Sequence, residues 1–206
     1  MIKGAGGSKV LGFQDLWSCL QELLIPSWPG TRTTFQGYPI GDAWPLAVLA
    51  SQAQKEGDEI QPFHKLTQWL AYSLSVPFQR LLGYEWKDLD LGTGLPEYRN
   101  GGLFVDLGVL TLRPAALEAG LKASGQSLPI FEASSDVIVE WRAMTVALLD
   151  QLHDMISKRY SAKGVTLTMP QMLEAGTWKS GRELAAAERP ETKSSPILVI
   201  SDGTLY

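Results

Sequence analysis

Between Ser134 and Tyr160 the chain carries a run that reads as one long helix buried deep inside a domain. Ser134, Ser135 and Asp136 offer side-chain oxygens to cap its first amide groups. After them, Val137, Ile138, Val139, Trp141, Ala143, Met144 and Val146 to Leu149 put apolar side chains almost all the way round. A surface helix keeps a polar stripe, so a helix apolar on every side belongs in the middle of its domain. Other helices must pack around it, which predicts a mainly α, bundle-like domain.

The remaining segments supply those helices. Phe13 to Ile25 repeats apolar residues at Phe13, Leu16, Trp17, Leu20, Leu23 and Leu24, the three-four spacing of an amphipathic helix that Pro26 and Pro29-Gly30 end. Residues 31–41 read as loop. Asp42 is placed to cap a helix from Ala43 to about Gln54, with Pro45 in its first turn. His64 to Gly83 is expected as a long helix burying Leu66, Trp69, Leu70, Leu74, Phe78 and Leu81, kinked or split at Pro77. Pro114 opens a shorter helix to Lys122, and Thr168 caps one from Met169 to Glu188, interrupted near Gly176 and Gly181. Asp202-Gly203 between β-prone runs predicts a small hairpin near the C-terminus. At 206 residues, with no repeat or linker, residues 1–206 are expected to form a single domain.

Charge and cysteine content exclude several classes. A net charge of −4 provides no basic footprint, so a nucleic acid polymer is not an expected partner. The lone Cys19 rules out an intramolecular disulfide framework and suits a reducing compartment, with a buried, inert thiol as the default. No apolar run reaches the roughly 18–20 residues of a membrane span, and the first eight residues lack the apolar core of a secretory signal. A cytoplasmic protein with no membrane partner is expected. Seven tryptophans are many for this length; most belong to the core, with room for one or two against a flat or sugar-like ligand.

The stretch from Leu95 to Gly108 concentrates the chemistry. Glu97, Arg99, Asn100 and Asp106 are set into an apolar run, where charge is costly unless paired or used. Pro96 and Gly101-Gly102 are expected to hold a special backbone shape, the glycines through positive φ. The competing reading is a solvated loop with an ordinary Glu97–Arg99 surface pair. On the central helix, Asp136 and Glu140 share one face, while Arg142 and Thr145 lie roughly opposite at ~100° per residue. One face is expected to serve a pocket and the other, with Arg142 and Thr145, to tie the helix to its neighbours. Near the C-terminus, Trp178, Lys179 and Arg182 can meet an anion such as phosphate, or form a solvated helix end. The two histidines, His64 and His153, have no metal-ligand spacing, and no Walker or Rossmann glycine pattern is present, so neither metal nor cofactor is expected.

Several of these stretches resemble a known family. Pro96-Glu97-Tyr98-Arg99-Asn100-Gly101-Gly102-Leu103, Asp136 to Leu149, Gly176 to Pro190, and Ser194-Ser195-Pro196-Ile197 with Ser201-Asp202-Gly203-Thr204 resemble the uracil-catabolism family of fungi and bacteria, long described as a domain of unknown function. Its members are encoded beside a GTP cyclohydrolase II-like enzyme and a uracil phosphoribosyltransferase. They are about twice this length, so the resemblance implies that the chain corresponds to their C-terminal half. A more distant resemblance is to the queuosine salvage N-glycosidases, helical proteins similar in fold to DNA glycosylases. Their Asp-Tyr-Arg turn, Glu-x-Arg-Ala-x-Thr helix and Lys-x-x-Gln helix are similar to Glu97-Tyr98-Arg99, Glu140 to Thr145 and Lys65 to Gln68, in the same order. Glu97 stands where they carry Asp, and Asn100-Gly101 where they carry Pro, so pocket and substrate differ.

The resemblance implies an N-ribosyl hydrolase of pyrimidine degradation, acting on ribosylurea or its 5-phosphate to release urea. Such cleavage passes through an oxocarbenium-like sugar, stabilised by a carboxylate, while a donor protonates the leaving nitrogen. By resemblance Glu97 takes the first role, and Asp106 acts on the leaving group or anchors ribose hydroxyls. Tyr98, Arg99, Asn100, Glu140 and His64 line the pocket, with Lys179 or Arg182 on a 5-phosphate. The alternatives are a non-catalytic nucleotide-binding module, or a half-domain that works only with a partner chain.

Overall fold

The computed structural model describes residues 9–200. In chain order these form β1 (Val10–Gly12), α1 (Phe13–Leu24), β2 (Thr34–Phe35), β3 (Tyr38–Pro39), β4 (Ala43–Pro45), α2 (Ala47–Ala50), β5 (Ile60–Pro62) and α3 (Lys65–Leu82). There follow β6 (Glu85–Lys87), α4 (Tyr98–Asp106), α5 (Pro114–Ser124), β7 (Ile130–Glu132), α6 (Asp136–Ser161), α7 (Met169–Met172), α8 (Lys179–Glu188) and β8 (Leu198–Ile200). The mainly α expectation holds. The chain divides into two compact units, one from Met1–Ala43 and Pro62–Thr93, the other from Trp44–Gln61 and Gly94–Tyr206.

In the first unit α1 packs on α3, and β1 pairs in parallel with β6, Leu11 opposite Trp86. Phe13 stacks on Tyr72 at 5.7 Å between ring centres and meets Trp86 edge-on at 6.5 Å. The indole of Trp86 donates to the Ser75 carbonyl at 2.9 Å. Helix α1 buries Phe13, Leu16 and Leu20, as its spacing predicts, but Cys19 on the same helix is exposed rather than buried.

Helix α3 departs from expectation in two ways. It is one helix through Pro77, so it is not split there. More telling, it buries Thr67, Gln68, Ala71, Tyr72 and Ser75, and leaves Trp69, Leu74 and Leu81 exposed. Asp42 does cap a helix, but this one: its carboxylate accepts from the Lys65 amide at 3.0 Å, and its carbonyl accepts from Phe63 and His64. The helix expected over 43–54 shrinks to α2. Pro45 lies in β4, and tertiary bonds hold the segment: Leu46 N–H to the Glu59 carbonyl at 2.9 Å and Ala47 N–H to the Asp136 carboxylate at 2.7 Å.

In the second unit α6 starts as expected, with the Ser135 hydroxyl accepting from the Ile138 amide. It is covered on one broad face and not all round, since Met144 and Ala147 are exposed. Ile138 and Trp141 pack with Ile197, joined by Tyr98, Val105, Leu110, Leu112, Phe131 and Val199. Thr168 and Gln171 form a reciprocal cap at the start of α7. From there to Glu188 the helix is continuous; Leu173–Trp178 widens into a π segment instead of breaking at Gly176 or Gly181. Strand β8 pairs in parallel with β7, Phe131 opposite Val199, and the Asp202-Gly203 turn of the expected hairpin lies outside the described residues. Among the described residues no helix is long and apolar enough to cross a membrane.

Candidate functional site

Glu97 ends an extended stretch and begins a helix. Its backbone is β-like, and its carboxylate Oε2 accepts from the Arg99 amide at 2.8 Å and the Asn100 amide at 3.3 Å, so it is the N-cap of α4. A carboxylate there also sits at the positive end of the helix dipole. Asn100, buried to 2% exposure, fixes this turn from beneath. Its amide donates to the Leu95 carbonyl at 3.3 Å, and its oxygen accepts from the Thr177 hydroxyl at 2.9 Å.

The two glycines that follow serve a different purpose from the one expected. Gly101 and Gly102 are helical, not at positive φ. A Cβ on Gly101 would lie 2.7 Å from the Thr145 hydroxyl and 2.9 Å from the Trp141 ring, and one on Gly102 would lie 3.0 Å from Pro196. Only glycine lets α4 approach α6 this closely. The Trp141 indole then donates to the Gly101 carbonyl at 3.2 Å, and Thr145 donates back to the Trp141 carbonyl at 2.7 Å.

That approach leaves a shallow recess of about 10 Å³, partly open to solvent, lined by Pro96, Glu97, Tyr98, Trp141, Arg142 and Thr145. Its lining residues carry a carboxylate, a guanidinium, a hydroxyl, a phenol and an indole, but the surface they present to it is mostly apolar. Its volume is room for about one water molecule, far below the roughly 300–1,000 Å³ of typical ligand sites. Arg142 is only 3% exposed, at the centre of the covered face of α6, and a cation so buried is costly unless paired or used.

The helix geometry expected for α6 holds, but the roles are exchanged. Arg142 and Thr145 line the recess, while Glu140 on the other side pairs with Arg113 at 2.7 Å and Asp136 holds the Ala47 amide. Asp106, expected as a second acting carboxylate, is not among the lining residues. It is gripped bidentately by Arg189 at 2.9 and 2.5 Å with both side chains largely buried, an ion pair that ties α4 to the end of α8.

The other expected residues are also engaged outside the recess. Arg99 lies over the Tyr98 ring at 4.8 Å and donates to the Lys193 carbonyl at 2.8 Å. Lys179 is exposed and 3.5 Å from Glu183, and Arg182 lies over the Trp178 ring. His64 belongs to the first unit, where Gln21 and His64 Nδ1 are 2.8 Å apart and its backbone is left-handed at φ 46°. Among the described residues no cluster of histidine, cysteine, aspartate or glutamate could hold a metal. Sequence reasoning missed Trp141, Arg142 and Thr145 as lining residues, although an arginine inside so apolar a run was a usable signal.

Comparison with known proteins agrees with the uracil-catabolism resemblance. A family described as "Protein of unknown function (DUF1688)" matches residues 2–206. Protein urg3 of Schizosaccharomyces pombe is 54% identical over 97% of this chain and 46% of its own length. Uracil catabolism protein 4 of Lachancea kluyveri is 44% identical over 97% of this chain and 47% of its own. The chain thus spans about half the length of the curated relatives it matches. No solved structure matches significantly, so the likeness to DNA glycosylases gains no support from that side.

Proposed function

This chain belongs to the family described as a protein of unknown function, DUF1688, and on that premise we propose that it acts in uracil catabolism as an N-ribosyl hydrolase. Its substrate is ribosylurea or the 5-phosphate, and its products are urea and the free sugar. One relative is named a uracil catabolism protein, which supports the pathway. The observation that carries the chemistry is the recess, where Glu97 and Arg142 stand against the aromatic walls of Tyr98 and Trp141.

In this reading the C1′–N bond breaks as water adds to C1′. Glu97 stabilises the cationic sugar and takes the proton from water. Arg142 donates to the ureido carbonyl and lowers the charge on the departing group. That group must gain a proton to leave as neutral urea, and the Tyr98 phenol is the recess acid assigned to give it. Asp106 has no part, because Arg189 holds it in a structural pair. The chain corresponds to the C-terminal half of the longer family architecture.

Glu97→Gln tests the proposal. The amide keeps an acceptor for the Arg99 and Asn100 amides, so stability should fall by no more than about 1 kcal/mol. Urea release from ribosylurea should fall by about 10²-fold or more, with ligand affinity retained. An unchanged rate in the variant would remove Glu97 from the chemistry. A second reading, a half-domain that turns over only with a partner chain, is supported by the match to half of each relative. It predicts ligand-induced stabilisation of this chain alone without turnover.

A further inference from the structure

Among the described residues helix α3 turns Trp69, Leu74, Val76, Leu81 and Leu82 outward and keeps Leu66, Leu70 and Phe78 half-buried. Leu66, Leu70, Leu74 and Leu81 recur at spacings that align them on one stripe, flanked by Trp69 and Val76. Leu74 is 36% exposed and Leu81 80%, with Trp69 and Val76 above 40%. A solvated helix face is normally charged, yet the only charged residues between Lys65 and Leu82 are Lys65 and Arg80, near its two ends. Meanwhile the covered face is Thr67, Gln68, Ala71, Tyr72 and Ser75, and the amide nitrogen of Gln68 is buried with no hydrogen-bond partner.

The excess is regional as well. Ten of the nineteen exposed large apolar side chains fall in the first unit, although it supplies only about a third of the described residues. Contiguous exposed apolar surface marks a binding face. The relatives indicate the occupant, since each has more chain outside its match than inside it. We propose that the open apolar face of α3 docks that additional region of the family architecture, which meets it with an apolar face of its own.

Carbene footprinting of side chains, applied to this chain and to full-length Protein urg3, reads the face directly. Leu74, Leu81 and Leu82 should label strongly here, and the matching positions of the full-length relative several-fold less. Equal labelling in the two proteins overturns the proposal. So does labelling of this chain that falls with rising concentration while light scattering shows a doubled mass, which would assign the face to a second copy. Leu74→Gln and Leu81→Gln provide the internal control: Tm should hold, and a collapse in Tm would mean the face is already packed and would also overturn it.

Discussion

Helices α3 and α6 are both long, and they cover opposite kinds of surface. Helix α6 buries Ile138, Val139, Trp141 and Leu149 and sets one cation, Arg142, in the middle of them. Helix α3 buries a hydroxyl, an amide, an alanine, a tyrosine and a serine, and turns leucines outward. The first arrangement is what hydrophobic burial favours on its own, with two buried polar residues, Arg142 and Thr145, at the recess. The second gains little from burial within this chain, which is the condition of an element shaped to meet something else. The contrast shows that departures from simple patterning carry the information: a buried arginine on a mostly apolar face, and leucines turned outward on a helix whose covered face is largely polar.

Substitutions can break or sharpen that contrast, beginning with the largest expected effect. Leu149→Ala on α6, at a fully buried position, should cost about 2–5 kcal/mol in urea denaturation, because it leaves a cavity the packing cannot close. A cost near zero would mean α6 is not the centre of its unit. Gly181→Ala in α8 drives a Cβ into the Arg99 carbonyl, which is backbone and cannot swing aside. Its cost should be about 1–3 kcal/mol, and thermal unfolding that matches the parent would show that α4 and α8 are not so tightly joined.

Two changes on α3 should behave in the opposite manner. Gln68→Leu removes a buried amide nitrogen that lacks a partner, so it should raise stability by about 1 kcal/mol. A loss of similar size would identify an undetected polar role for the inner face. Leu81→Ala, at an exposed position, should stay within about 0.5 kcal/mol of the parent. A larger loss in this chain alone would erase the distinction between the two helices.

Much of this fold was legible because its signals are local. The three-four spacing of Phe13 to Leu24, the Ser135 cap and the Thr168–Gln171 pair each act within a few residues, and each element begins where those residues place it. Asp42 shows where locality fails: a capping residue was recognised, but the helix it caps starts 23 positions away. Asp106 and Glu140 fail for the same reason, since the arginines that occupy them come from distant parts of the chain. Gly101 shows a subtler limit, because a close approach and a positive φ both call for glycine.

The amino-acid sequence by itself determined that the chain is mainly helical and where most of its helices lie, whereas it read the stretch that opens on Glu97 as a turn and not as helix α4. Only tertiary structure decided which face of each helix is covered, and therefore that the recess lies on the Arg142 and Thr145 side of α6 and that the leucines of α3 face outward. Periodicity tells one side of a helix from the other. Which side finds a neighbour depends on contacts between residues far apart in sequence, and no local pattern encodes those.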